Sequence, residues 1–183
     1  MSVLKSQPMP AKTQCEIMPL QLNTGISTYR GRNAGNYNWA QGTVWEASVF
    51  WPFQWSVRLQ ERPDSEAVNT HFFFHRKFML RPVSGIQGTD QNSLLVHTSL
   101  NLSFKMTPLV YLSLSTGFTW VEAVKTSKDG LTSGFNLIQI WELVYNPFNR
   151  WAFSVGAQHV STAHLFKGDS NQDQIKCRIY FRL

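Results

Sequence analysis

The sequence predicts an all-β protein, an eight-stranded antiparallel transmembrane β-barrel. Three observations carry this. Period-2 alternation of apolar and polar residues dominates the 183-residue chain, and helical periodicity is hard to find. The alternating runs are about ten to thirteen residues long, which lets a tilted strand cross a bilayer. Connections are short at one end and long at the other, with aromatic residues beside the short ones.

The first three strands are faint, over 17–29, 42–51 and 53–61. In the third, Phe53, Trp55, Val57 and Leu59 alternate with Gln54, Ser56, Arg58 and Gln60. The clearest run is LVHTSLNLSFKM, 95–106, with Val96, Leu100, Leu102, Phe104 and Met106 on one face and His97, Ser99, Asn101, Ser103 and Lys105 on the other. PLVYLSLSTGFTW, 108–120, follows with Val110, Leu112, Leu114, Phe118 and Trp120 aligned. FNLIQIWELVY, 135–145, places Phe135, Leu137, Trp141, Leu143 and Tyr145 together, while Ile138 and Ile140 make its other face mixed. WAFSVGAQHVS, 151–161, and QIKCRIYFRL, 174–183, complete the set. In the last, Lys176, Arg178 and Arg182 are expected to meet Glu46 or Glu142 inside the barrel. Gly117, Gly134 and Gly156 are expected to relieve crowding between strands.

Tight turns are expected at Trp51-Pro52-Phe53, Thr107-Pro108 and Asn146-Pro147-Phe148, and longer loops at 30–41, 62–92, 123–133 and 162–172. Trp51, Trp55, Tyr145, Phe148 and Trp151 beside the turns read as an interfacial girdle. THFFFHRKFML, 70–80, is assigned to an insertion at the membrane surface within 62–92, not to a ninth strand, because a ninth strand would break the alternation of loop lengths. The organisation is thus an N-terminal tail, 1–16, and one barrel domain, 17–183.

Composition narrows the function. The chain is 43% hydrophobic and strongly patterned, too much so for a disordered one. It has no apolar run of roughly 18 residues, so no transmembrane helix. The N-terminal MSVLKSQPMPAKTQCEIM has no apolar core of a signal peptide, which fits a mature chain with an added Met or one that is not exported. A net charge of +6 points to an anionic partner such as lipopolysaccharide phosphate. Nucleic acid is not expected, since zinc spacing, a basic helix and an RNP-like run are all missing. Cys15 and Cys177 lie far apart and do not read as a disulfide framework.

GAQHVSTAHLFKGDSNQDQIKC, 156–177, carries the chemistry. Residues two apart on a strand share a face. His159 and Ser161 therefore continue the apolar face of Trp151, Phe153, Val155 and Ala157, and Asp173 continues that of Ile175, Cys177 and Ile179. The loop between them folds Asp173 back beside the His-Ser strand. A hydroxyl, a base and an orienting carboxylate are what nucleophilic acyl transfer requires, and here all three would face lipid. The plainer reading is a polar rim where strands end.

HVSTA, then a short loop, an acidic residue and a final strand, resembles the outer-membrane lipid A deacylases of the PagL type. The resemblance covers roughly 108–183. It implies an eight-stranded barrel in the bacterial outer membrane and hydrolysis of an ester-linked 3-hydroxyacyl chain of lipopolysaccharide. Ser161 would be the nucleophile, His159 the general base and Asp173 the orienting acid, with the oxyanion held by Thr162 and the backbone around Ala163 and His164. Two positions depart from the family pattern: Asp173 stands for Glu, with Asp169 an alternative acid, and Thr162 stands for Asn. No metal or other cofactor is expected. His71 and His75 have a ligand spacing but no evident partner. His75, Arg76, Lys77 and Arg81 are read either as a solvated loop or as contacts to lipid A phosphates. The expected partners are lipid A and the membrane; a homo-oligomer remains open. Two other readings stand beside this one: a non-catalytic outer-membrane barrel, structural or adhesive, and a soluble ligand-binding barrel with its apolar face inside.

Overall fold

The structure, a computed structural model, describes residues 12–18, 20–31, 40–58, 77–123, 129–148, 150–163, 165 and 170–183. The strands are β1 (Lys12–Ile17), β2 (Gln21–Gly31), β3 (Ala40–Phe50), β4 (Phe53–Arg58), β5 (Lys77–Thr89), β6 (Leu94–Lys105), β7 (Val110–Glu122), β8 (Gly134–Tyr145), β9 (Trp151–Ser161) and β10 (Asn171–Arg182). Eight of them close a ring, β2-β3-β5-β6-β7-β8-β9-β10 and back to β2, with every neighbouring pair antiparallel. Closure leaves the ring without a free edge, as a β-structure in hydrocarbon requires. β1 and β4 pair with each other and carry two of the staves beyond the ring, at the end that also holds Arg182.

The number of staves matches the sequence, but the path between them does not. The expected turn at Trp51-Pro52-Phe53 is a bulge inside one long stave, β3 followed by β4. Phe50 lies opposite Val83 of β5 and Trp55 opposite Leu80, so two extra residues are accommodated on this side. Pro52 has no N–H to donate, and a bulge is where a strand tolerates that loss. The neighbours still bond across it: Trp51 N–H donates to the Pro82 carbonyl at 3.0 Å, and Met18 N–H to that of Pro52 at 2.8 Å. An even number of extra residues keeps the side-chain alternation in phase, so Phe53 and Trp55 stay outside and Gln54 and Ser56 inside.

The expected insertion 62–92 is corrected in the same way. Its second half is β5, a full stave, joined to β6 by a four-residue turn at 90–93. This tight turn lies at the same end as the loops 123–133 and 162–170, so the expected segregation of short and long connections fails there. The first half of the insertion, 62–76, with His71, His75 and Arg76, lies outside the described residues, as does 59–61, the end of the expected third strand. The expected tail 1–16 is also partly strand, since β1 begins at Lys12.

Polarity is inverted relative to a soluble barrel. Ile26, Val155 (59% exposed) and Ile175 (72% exposed) stand outside, with Trp and Phe side chains at both ends of the wall. Trp120 and Phe135 meet edge to face at 5.0 Å at the loop end, and Trp151 packs on Phe181 at 4.6 Å at the other. Inside, Lys176 and Arg178 reach Glu46, Arg178 Nη1 donates to Glu142 at 2.8 Å, and Tyr180 and Ser154 hydroxyls donate to Glu142 at 2.8 and 2.7 Å. These ion pairs are the ones the alternation predicts for Lys176 and Arg178. Above them, Leu95, Val121, Leu131, Ile138, Ile140 and Val160 form an apolar plug, which explains the mixed inner face of β8.

Two of the three expected glycines relieve crowding. A Cβ on Gly117 would overlap the Thr98 carbonyl, and one on Gly156 the Trp141 carbonyl. Gly134 is different: it has open space around it but a φ of +122°, a conformation for which glycine is suited.

Candidate functional site

β9 and β10 run side by side in continuous register, with His159 opposite Asp173 and Ser161 opposite Asn171. The strand alternation turns His159, Ser161 and Asp173 to the outer wall, at the end of the barrel that carries the loop 162–170. The Asp173 carboxylate meets His159 Nδ1 at 2.7 Å. Asp173 is longer-reaching than its single methylene suggests, because a directly opposed pair in an antiparallel ladder brings the two Cβ atoms to about 5 Å. A glutamate is not needed. The alternative acid, Asp169, lies outside the described residues.

With Nδ1 engaged by the carboxylate, Nε2 is the ring nitrogen left for a hydroxyl, the arrangement in which a histidine acts as a base. Ser161 is two residues along the same face, about 7 Å away between Cα atoms. Its hydroxyl makes no hydrogen bond to His159 among the described residues. The structure therefore brings Asp173 and His159 together, and sets Ser161 beside them without closing the third contact.

The oxyanion residues are divided. Thr162 is buried, with its side chain turned away from the outer wall, and its N–H points to the Ser170 carbonyl at 3.4 Å. Its hydroxyl is thus not positioned for a carbonyl approaching from lipid, a correction that follows from parity: even positions of this stave face inward. Ala163 is exposed and lies at the corner of a turn closed by Leu165 N–H donating to the Thr162 carbonyl at 2.9 Å. Its φ of 47° is left-handed, a conformation that costs a non-glycine residue about 1–2 kcal/mol. Such backbone strain is concentrated at functional sites. His164 lies outside the described residues.

Of the expected phosphate contacts, Arg81 is not at this site. Arg81 is buried inside the barrel toward the opposite end. Its Nη2 donates to the Trp51 carbonyl at 2.9 Å, and its guanidinium lies over the Phe50 ring at 5.5 Å. The reason is that residues 77–89 form a stave, in which the side chain of Arg81 faces inward, and not a surface loop. Lys77 begins β5, but its side chain lies outside the described part, as do His75 and Arg76.

The register reveals polar neighbours that the sequence did not. Gln139, His159, Asp173, Arg30 and Gln41 lie opposite one another across β8, β9, β10, β2 and β3, forming one row on the outer wall. Arg30 was missed because β2 was expected to end at residue 29. Extending its alternation by one step from Ile26 and Thr28 would have found it.

Closed antiparallel staves, an apolar outer belt and a charged interior define a transmembrane β-barrel of the bacterial outer-membrane type. Solved structures agree. The crystal structure of the outer membrane enzyme PagL is similar with a TM-score of 0.57 and 11% identity, over 87% of this chain and 99% of that one. That of Neisserial surface protein A is similar with a TM-score of 0.58 and 9% identity, over 90% of this chain and 97% of that one. At these identities the likeness is one of fold. No protein-family model and no curated protein matches the sequence.

Proposed function

We propose that this outer-membrane barrel is a serine-type lipid A deacylase, hydrolysing an ester-linked 3-hydroxyacyl chain of lipopolysaccharide. The observation that carries the reading is the His159–Asp173 contact at 2.7 Å on the lipid-facing wall, with Ser161 on the same face. In outer-membrane barrels the longer loops are extracellular. The site shares its end with the connections 32–39, 123–133 and 162–170, and on this reading that end is the extracellular one, level with the leaflet where lipid A resides, so a substrate would meet the site sideways without leaving the membrane.

In the reaction, Ser161 Oγ attacks the acyl carbonyl carbon while His159 Nε2 takes the hydroxyl proton. Asp173 holds the ring in the tautomer that allows this and stabilises the imidazolium. The Ala163 N–H, two residues on from Ser161, is the candidate donor to the oxyanion. Collapse of the tetrahedral intermediate breaks the ester C–O bond, and His159 returns the proton to the departing sugar hydroxyl. Water, deprotonated by His159, then cleaves the acyl-enzyme and releases a 3-hydroxy fatty acid. These steps are accomplished by side chains and backbone alone.

The test is mass spectrometry of lipid A from cells making the wild type or the Ser161→Ala variant, with membrane insertion verified for both. Loss of one hydroxyacyl chain with wild type only supports the reading. Loss with both, or with neither, rejects it. The absence of a Ser161–His159 hydrogen bond favours a second reading, a barrel without catalysis. That reading predicts unaltered lipid A in both strains.

A further inference from the structure

Beside the His159–Asp173 pair the outer wall is hollowed. A groove of about 730 Å³ crosses five staves, β8, β9, β10, β2 and β3. Its upper edge is polar, formed by Asp173, Arg30 and Gln41; its lower wall is apolar on β8, β9 and β10, formed by Trp141, Ala157 and Ile175, and continues as Thr28 and Thr43 below Arg30 and Gln41. The division follows from register: Trp141, Ala157 and Ile175 are opposed to one another one pleat below the polar row. Ala157 supplies the depth, since it is the small residue between the large Trp141 and Ile175.

A surface with a cation at headgroup level and an apolar trough obliquely below it, under the neighbouring staves β8 to β10, fits an anionic amphiphile. Arg30 is exposed on the outer wall directly opposite Asp173. Strands in a sheet are about 4.8 Å apart, so Arg30, two staves from His159, lies about 10 Å from the stave that carries His159 and Ser161, roughly the span of one sugar ring and its substituent. Arg30 already has an interaction within the protein. The five N–H donors of a guanidinium can serve such a neighbour and a phosphate together.

Resting on the deacylase reading, we infer that Arg30 binds the phosphate of a phosphorylated glycolipid substrate while the apolar trough below takes one of its acyl chains. Arg30 is thus a specificity-determining residue: it places the sugar so that the ester to be cleaved lies over Ser161. The anion contact expected of the segment around Arg81 is supplied by a residue on a different stave.

The experiment uses the full chain refolded in neutral detergent, with two probes: a diacylated glucosamine 1-phosphate and the same glycolipid without phosphate. Kinetics are measured for wild type, Arg30→Gln and Arg30→Lys, and equilibrium binding for each in the Ser161→Ala background. In Arg30→Gln, the ratio of kcat/KM for the phosphorylated over the unphosphorylated probe falls about tenfold to a hundredfold, mostly through KM, and Arg30→Lys recovers part of it. An unchanged ratio overturns the inference. If wild type cleaves neither probe, the hydrolase reading fails by itself, and binding then decides. Preferential binding of the phosphorylated probe that is lost in Arg30→Gln upholds the role of Arg30, and equal binding by both variants removes it. Competition by inorganic phosphate as effective as the glycolipid also overturns it, because the trough would then contribute nothing.

Discussion

Asp173 stands directly opposite His159 in the β9–β10 ladder, and its carboxylate holds His159 Nδ1 at 2.7 Å on the lipid-facing side of the barrel. Two polar groups at the upper edge of an apolar wall lower each other's cost by pairing. The pair also fixes the histidine ring, which a general base requires.

Replacing the carboxylate while keeping its shape isolates that second role. On the proposed deacylase reading, Asp173→Asn is expected to lower kcat by about 10²–10⁴-fold. The variant should still fold into vesicles, as read by the mobility difference between unheated and boiled samples on a gel. Full activity in Asp173→Asn would remove Asp173 from the mechanism.

The interior offers a test of stability. Lys176 and Arg178 are buried and converge on Glu46. Glu46→Ala leaves two buried cations with less than their complement of acceptors. Urea unfolding in vesicles should show a loss of about 3–5 kcal/mol, the usual result of breaking a buried pair from one side. A change below about 1 kcal/mol would mean that water solvates the interior at this level.

The outer belt makes the opposite prediction from a soluble barrel. Val155 projects from the wall, with Cys177 opposite it in the next stave. Val155→Arg should destabilise the barrel in bilayers by about 2–4 kcal/mol, the depth-dependent cost of a cation facing hydrocarbon. An unaffected unfolding midpoint would show that this face does not meet lipid.

The two free cysteines report the same boundary chemically. Cys177 is exposed on the belt, whereas Cys15 is exposed on β1, beyond the closed ring. In vesicles open to reagent on both sides, a charged thiol reagent should label Cys15 and spare Cys177, while a lipophilic maleimide should label both. Cys177→Ser assigns the signals by mass. Equal labelling of Cys177 by the charged reagent would place it in water.

The eight staves were legible wherever one face is apolar and the other polar, because a strand advertises its two environments at every second residue. The strands 94–105, 110–122, 151–161 and 171–182 are of this kind. The stretch 77–89 was not, since Pro82, Ser84 and Gly85 interrupt its alternation and the basic residues around it resemble a loop. Pro52 misled for a related reason: a proline signals lost hydrogen bonding, and both a turn and a bulge can absorb that loss. One stave was divided and another overlooked, so the total came out right by compensation.

The sequence by itself determined that His159, Ser161 and Asp173 share a face, because parity is a local property of each strand. It also determined which ends of two strands the 162–170 loop would bring together. Only the tertiary structure decided that Asp173 falls opposite His159 and not one pair away, that Thr162 turns inward, that Arg81 is interior and distant, and that Arg30 joins the polar row. Each of these depends on register and closure. β2 meets β10 only when the barrel shuts, across about 140 to 160 residues of chain, and no periodicity within a strand encodes that meeting.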